Sequence, residues 1–148
     1  MKLDLSGLDL IMQFEGLRLK PYLDSVNVPT IGYGSTYYPN GTKVKMSDPP
    51  ISKGYAFDIF ENIAQKFAAK VDAYVKPELK QNQFNAVVSL AYNIGLGNFS
   101  KSTLLKKVNA NPNDVSISQE FAKWNKAGGK VLNGLTNRRL KEAKVYFS

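Results

Sequence analysis

The stretch FEGLRLKPYLD (residues 14–24), followed by VPTIGYGST (residues 28–36), decides the fold class of this chain. Apolar residues recur at helical spacing before Glu15, and Gly16 is a natural helix stop, so a short helix is predicted to end at Glu15. Beyond Gly16 the chain changes to short β-compatible runs separated by turn residues. The stretch therefore marks the passage from a helix, with Ser6 as its expected N-cap, into a small antiparallel sheet.

The sheet is expected to extend to about residue 44, with Pro39-Asn40-Gly41 as a hairpin signal. Ser52 is the expected N-cap of a long amphipathic helix whose apolar residues are spaced by fours: Tyr55, Ile59, Ile63, Phe67 and Val71. Residues 80–94 predict a more uniformly apolar helix, which we expect at the centre of the larger lobe. Three shorter helices are predicted around 101–108, 116–125 and 134–146, with Gly128-Gly129 as a break between the last two.

These patterns predict a mostly helical α+β fold in a single domain that spans residues 1–148. The N-terminal sheet lobe is expected at about 16–50 and the linking helix at about 52–75. The helical lobe is expected at about 78–148, together with the N-terminal helix. A cleft between two lobes is the expected place for a ligand.

The residue types that are missing restrict the chemistry. The chain has no cysteine and no histidine, which excludes disulfides, thiolate nucleophiles, histidine triads and the common zinc sites. Carboxylates, hydroxyls, tyrosines and lysines remain for acid–base work, so Asp and Glu are the leading candidates.

The net charge of +8 is concentrated in residues 101–148, which hold ten Lys/Arg and three Asp/Glu. A basic face of this kind suits a polyanionic partner, either nucleic acid, a membrane surface or an anionic cell wall, and it also favours solubility. No apolar run reaches the length of a signal peptide or a membrane span, so stable membrane insertion is not expected.

Two acids stand apart in the first fifty residues: Glu15 at a helix end and Asp24 at a strand turn. Glycoside hydrolysis needs two carboxyl groups in different environments, one protonated and one ionised. The negative end of the helix dipole and partial burial by Phe14 and Leu17 favour the protonated form of Glu15. Hydrogen bonds from turn amides favour the ionised form of Asp24. Glu15 therefore suits the role of the acid, and Asp24 suits the role of the carboxylate that binds water.

The quoted stretch resembles the active-site segment of phage lysozymes of glycoside hydrolase family 24. That family's spacing of Glu, eight residues, Asp, five residues and Thr falls on Glu15, Asp24 and Thr30. The similarity continues through QNQFNAVVSLAYNIG (residues 81–95), the W-x3-G-G pattern from Trp124, and GLTNRRLKE (134–142), so it covers nearly the whole chain.

The resemblance implies a lysozyme-like two-lobed fold and a muramidase that cuts the β-1,4 bond between N-acetylmuramic acid and N-acetylglucosamine with inversion. Glu15 would be the acid, with Asp24 and Thr30 placing the water. A threonine hydroxyl suits this task because it can accept from water while it donates elsewhere. No metal or organic cofactor is implied, the partner is the peptidoglycan glycan strand, and a monomer is expected.

Further candidates are Tyr33, for stacking on a sugar, Asn93, for an N-acetyl group, and Arg139, for peptide carboxylates or wall polymers. Each also has an ordinary structural interpretation. Trp124 is expected in the core because it shares a helical face with Phe121. Arg138 and Glu142 are expected to pair on the last helix.

One residue departs from the family pattern: Ser35 stands where the family commonly has His. Because that His is not one of the matched catalytic positions, we expect the change to affect local packing in the sheet lobe rather than the chemistry.

Two alternatives remain open: a non-catalytic peptidoglycan-binding relative, and a basic nucleic-acid-binding domain, for which no recognition motif is evident. The setting is also open, between a phage endolysin, an antibacterial toxin domain and a bacterial wall-remodelling enzyme. We expect synthesis in the host bacterial cytoplasm without a signal peptide, and action on the cell wall after holin-type or other release.

Overall fold

The computed structural model describes all 148 residues and contains seven helices and two small antiparallel sheets. The helices are α1 (Leu5–Glu15), α2 (Lys53–Tyr74), α3 (Gln81–Ile94), α4 (Leu96–Ser100), α5 (Thr103–Ala110), α6 (Ile117–Ala122) and α7 (Asn133–Tyr146). The strands are β1 (Arg18–Leu23), β2 (Pro29–Gly32), β3 (Lys126–Ala127) and β4 (Lys130–Val131). None of the helices combines the length and apolarity needed to cross a membrane. The predicted mostly helical α+β class is thus confirmed.

The chain divides into two compact units. A sheet unit comprises residues 11–66, and a helical unit comprises residues 1–10 and 67–148. The first turns of α1 therefore belong to the helical unit, and its end belongs to the sheet unit. The predicted single domain and its lobe boundaries stay predictions.

Helix α1 begins two residues earlier than predicted, and its cap is Asp4 rather than Ser6. The Gly7 N–H donates to Asp4 Oδ1 at 2.9 Å, which is the bond expected of an N-cap carboxylate. The same Oδ1 accepts from the Asn85 side chain at 2.8 Å, so one oxygen both caps α1 and ties it to α3. A Cβ at Gly7 would stand 2.4 Å from Asn85 Oδ1, so only glycine allows this close approach of the two helices.

The sheet unit contains the predicted antiparallel hairpin of β1 and β2. The predicted turn at Pro39-Asn40-Gly41 is also present, as a tight hairpin with a bridge between Tyr37 and Lys43. Gly41 adopts φ +86°, and its N–H donates to the Tyr38 carbonyl at 2.9 Å. The positive φ explains why glycine follows Asn40 here.

The first part of α2 supplies the core of the sheet unit. A Cβ on Gly32 would lie 3.4 Å from the Ala56 Cβ, and the Tyr33 and Phe60 rings are 5.8 Å apart. Ser52 caps α2 as predicted, by accepting from the Tyr55 N–H at 3.1 Å. The predicted stripe spaced by fours was partly wrong, because a helix of 3.6 residues per turn drifts away from such a line. The buried side of α2 carries Ala56, Ile59, Phe60, Ala64, Ala68 and Val71.

The helical unit is built around α3, which packs mainly against α7, and α6 also packs against α7. Every residue of α3 from Gln83 to Ala91 is buried, which confirms the prediction for residues 80–94. Three ionic side chains lie inside this packing, because Arg138, Arg139 and Glu142 are each at most 4% exposed. Arg138 Nε lies 3.3 Å from Glu142 Oε2, so the predicted pair on the last helix is confirmed as a buried ion pair.

Two small elements were missed. Gly95 ends α3 with φ +91°, but the chain resumes at once as the short helix α4. Gly128 and Gly129, interpreted as a simple break, form the turn of the β3–β4 hairpin with φ values of +58° and +78°. Two successive positive φ values are typical of the tight turns that match the twist of paired strands.

Two buried serines predict opposite responses to the loss of a hydroxyl. Ser35 Oγ is buried without a hydrogen-bond partner, whereas Ser89 Oγ donates to Glu142 Oε2 at 2.5 Å. We expect Ser35→Ala to raise the free energy of unfolding by up to about 1 kcal/mol and Ser89→Ala to lower it by about 1–3 kcal/mol. Urea denaturation measures both; equal losses in the two variants would contradict this account.

Candidate active site

Glu15 is the last residue of α1 and is half-buried. The helix ends there because Gly16 adopts φ +71°. Gly34, from the segment after β2, approaches the carboxyl group: a Cβ at that position would lie 3.3 Å from Glu15 Oε2. Gly34 itself has φ +84°, so both its conformation and its lack of a side chain suit this approach.

Asp24 occupies the turn between β1 and β2, and its side chain organises that turn. Its Oδ1 accepts from the backbone N–H groups of Val26 and Val28, both at 2.9 Å. Its own N–H donates to the Val28 carbonyl at 3.0 Å, and Asn27 takes the left-handed conformation with φ +62°. One carboxylate oxygen is therefore committed to holding the turn, while Oδ2 takes part in neither bond.

Thr30 lies on β2, almost fully buried at 3% exposure. Its hydroxyl donates to the Val28 carbonyl at 2.8 Å. Because that proton is committed, the hydroxyl can only accept from another partner, as the sequence analysis required. Asp24 and Thr30 are thus both tied to Val28, one through its N–H and the other through its carbonyl.

Tyr22 is a site residue that the sequence analysis missed. It pairs with Thr30 across the two strands, and the Arg18 guanidinium lies 4.7 Å from the centre of its ring. Burial raises the pKa of Tyr22, the Arg18 charge opposes this, and the charges of Glu15 and Asp24 both add to the rise. The signal was present, because residues two apart on a strand share a face and Tyr22 precedes Asp24 by two.

These four residues form the candidate active site, and all of them lie in the sheet unit. It combines a carboxyl group at a helix end, a carboxylate anchored in a turn, and a buried hydroxyl that is ready to accept. An arrangement of this kind can protonate a leaving oxygen with one carboxyl group and direct a water molecule with the other.

The secondary candidates fare differently. Tyr33 is 7% exposed and packs on Phe60, so its ring is a core contact of the sheet unit and has little surface for stacking on a sugar. Arg139 is 1% exposed, and its Nη2 donates to Asn93 Oδ1. Because Arg139 is buried, it has little surface for a direct contact with a wall polymer. Its hydrogen bond is suited instead to orienting Asn93.

The buried charges around Arg139 are only partly compensated. Arg139 Nε lies 3.1 Å from Glu142 Oε1, an ion-pair distance without hydrogen-bond alignment. Burial lowers the pKa of Arg139, while the nearby Glu142 charge opposes that shift. Burial also raises the pKa of Glu142, against the effects of the Arg139 charge and the Ser89 hydroxyl. Two guanidinium groups thus share a single buried carboxylate.

Asn93 is exposed at the end of α3 and lines a pocket of about 360 Å³ in the helical unit. Trp124 lines the same pocket, together with Asn98, Lys126 and Leu132. The prediction that Trp124 belongs to the core was therefore wrong. Helix α6 ends at Ala122, so Trp124 does not share a helical face with Phe121 and remains half-exposed.

Comparison with known proteins identifies the family. Residues 12–142 match the family model described as phage lysozyme. The chain belongs to the phage lysozyme family. It is 41% identical over its whole length to the endolysin of Bacillus phage B103, although it spans only 55% of that protein. The resemblance inferred from the motifs is thereby confirmed.

Two solved structures support the same assignment. An endolysin from Escherichia coli O157:H7 phage FAHEc1 superposes with a TM-score of 0.90 at 40% identity, covering 100% of this chain and 94% of that one. A mutant of P22 lysozyme superposes with a TM-score of 0.88 at 33% identity, covering 100% and 99%. The lysozyme-like fold with its small N-terminal antiparallel sheet is thus confirmed.

Gly34→Ala is expected to reduce wall-clearing activity several-fold, because the new Cβ would push the Glu15 carboxyl group aside by a few tenths of an ångström. The matched control is Gly129→Ala, since Gly129 has a similar φ of +78° but no atom within 4 Å of a built Cβ. Both variants should lose about 1–2 kcal/mol of stability from backbone strain. Turbidity assays and urea denaturation test this, and equal activity losses in the two variants would contradict it.

Proposed function

We propose that this chain is a muramidase that hydrolyses the β-1,4 bond between N-acetylmuramic acid and N-acetylglucosamine in bacterial peptidoglycan. Membership of the phage lysozyme family supports the reaction class. The observation that carries the proposal is the β1–β2 hairpin, in which Asp24 and Thr30 are both bonded to Val28. Just after β2, Gly34 approaches the Glu15 carboxyl group, so the same hairpin meets both carboxyl groups. Glycoside hydrolysis requires two carboxyl groups that flank the bond to be broken.

Glu15 is proposed as the general acid. It gives its proton to the glycosidic oxygen as the bond to the anomeric carbon breaks, so the leaving sugar departs as a neutral alcohol. Its attachment to the last turn of α1 and the close approach of Gly34 limit the positions that its carboxyl group can adopt. A positioned acid is more effective than a mobile one because less orientation has to be achieved in the transition state.

Asp24 and Thr30 are proposed to place the attacking water. The water donates one hydrogen bond to the Thr30 hydroxyl, which can accept because its own proton goes to Val28. Asp24 Oδ2 takes the water's other proton as the oxygen bonds to the anomeric carbon. Attack from the face opposite the leaving group gives inversion, which the family resemblance also implies.

Asn93 is proposed to bind an N-acetyl group of the glycan, with Arg139 fixing its amide. The excess of Lys and Arg in residues 101–148 suits an anionic wall. The proposed place of action is the host cell wall, reached from the cytoplasm by holin-type or other release. No bound cofactor takes part in this proposal.

Glu15→Gln tests the proposed acid, because glutamine keeps the shape of the side chain but cannot donate the carboxyl proton. Loss of a general acid typically costs about 10²–10⁴ in rate, so clearing of purified, outer-membrane-stripped cell walls should fall by at least 100-fold. The assay is turbidity loss with both proteins at equal concentration and with folding checked by circular dichroism.

The matched control is Glu78→Gln, which removes a carboxylate at an exposed position outside the candidate active site. It should clear walls at the rate of the unmodified protein. No clearing by the unmodified protein would favour the non-catalytic binding relative, and tight, salt-dependent retention of nucleic acid would favour the nucleic-acid-binding domain. Clearing by folded Glu15→Gln would remove Glu15 from its role.

A further inference from the structure

The sheet unit contains a pocket that is lined by none of the four residues of the candidate active site. It has a volume of about 310 Å³ and lies between the Tyr37–Lys43 hairpin and the start of α2. Its lining is Tyr38, Asn40, Thr42, Asp48, Pro49, Ile51 and Tyr55. The volume is at the lower end of the range of about 300–1,000 Å³ for small-molecule sites, which suits a single sugar unit.

The polar side of this pocket is held in place by hydrogen bonds. The Tyr38 hydroxyl donates to Asp48 Oδ2 at 2.7 Å, and the Lys45 N–H donates to the same oxygen at 2.9 Å. These bonds hold the pKa of Asp48 below its ordinary value, while burial and the bond to Asp48 raise the pKa of Tyr38 to about 12. The pocket thus presents an oriented phenol and a charged carboxylate whose Oδ1 takes part in neither bond.

The hairpin side is equally well defined. The Asn40 side chain accepts from the Thr42 N–H at 2.9 Å through its Oδ1, which turns its amide NH₂ group away from that bond. The Tyr38 N–H donates to the Thr42 carbonyl at 2.9 Å. Asn40 and Thr42 are both exposed, so a donor amide and a hydroxyl are available to a ligand.

The opposite side is aromatic. Tyr55 lies in the first turn of α2, fixed by the bond from its N–H to Ser52, and its side chain is 44% exposed. An exposed aromatic ring beside oriented amide, hydroxyl and carboxylate groups matches a pyranose, which has an apolar C–H face and a polar rim.

We propose that this pocket is a secondary glycan-binding site for an uncharged N-acetylated sugar, N-acetylglucosamine. The charge of Asp48 favours an uncharged sugar. An ionised carboxylate in the lining accepts hydrogen bonds from hydroxyl and amide groups, but it repels sugars that carry an acid. The inference rests on the proposed function, because the wall glycan supplies this sugar. A second attachment point raises the effective concentration of the polymer at the active site.

The test uses the β-1,4-linked trisaccharide of N-acetylglucosamine and two-dimensional amide NMR, with Glu15→Gln as the background to prevent cleavage. We expect saturable shifts at Asn40, Thr42 and Tyr55, separate from any shifts near Asp24. Tyr55→Ala should weaken the affinity read at Asn40 and Thr42 about tenfold or more, since one lost aromatic contact of about 1.4 kcal/mol is a factor of ten.

Tyr37→Ala is the matched control, because Tyr37 is also 44% exposed and lies on the same hairpin without lining the pocket. It should leave the affinity unchanged. Thr42→Ala, at an exposed position, gives a second test if Tyr55→Ala folds poorly, and it should also weaken binding.

Three results would overturn the proposal: no shifts around the pocket, an unchanged affinity in Tyr55→Ala, or equal losses in Tyr55→Ala and Tyr37→Ala. Because binding is read without hydrolysis, this outcome is distinct from failure of the proposed function. A protein that binds the trisaccharide here but does not clear walls would retain the site and lose the muramidase assignment. Clearing of walls without these shifts would support the muramidase assignment and overturn the secondary site.

Discussion

The candidate active site depends on one constraint, the turn that Asp24 makes between β1 and β2. A single carboxylate oxygen receives the N–H groups of Val26 and Val28, and the Val28 carbonyl in turn accepts the Thr30 proton. The same short segment therefore closes the hairpin, orients a carboxylate and leaves a buried hydroxyl able only to accept. Structure and proposed chemistry rest on the same few hydrogen bonds, because a turn that satisfies its own amides with a side chain also fixes that side chain.

The two units carry their charges in different ways. The sheet unit holds its candidate carboxylates half-buried, where they can exchange protons with substrate and water. The helical unit buries Arg138, Arg139 and Glu142 between α3 and α7, where proton exchange with solvent is hindered. A buried ion pair costs desolvation energy, so its benefit is often a specific arrangement rather than stability. In this protein the arrangement fixed by the buried ion pair includes Asn93, the exposed amide that we propose to bind the glycan.

Much of the fold was predictable, because long amphipathic and uniformly apolar helices and glycine-marked turns are encoded locally. The capping role of Ser52 and the turn at Gly41 illustrate this. The cap at Asp4 was missed because the same oxygen also bonds Asn85 of α3, a tertiary contact. The hairpin at Gly128-Gly129 was missed because its two-residue strands are too short to give a strand pattern, and the end of α6 before Trp124 carried no stop signal. The candidate catalytic residues came from motif spacing, whereas Tyr22 was missed because its significance lies in the neighbours that the strand pairing gives it. Neither motif spacing nor hydrophobic periodicity indicates which side chain lies near several charged groups.

The most direct test of the central claim is the identity of the new chain ends in digested peptidoglycan. Purified cell walls are digested, reduced with borohydride and analysed by mass spectrometry, so that each newly formed reducing sugar is converted to its alcohol. A muramidase predicts the alcohol of N-acetylmuramic acid as the new end, in amounts that rise with clearing. The alcohol of N-acetylglucosamine, or new amino groups without new reducing ends, would contradict the account.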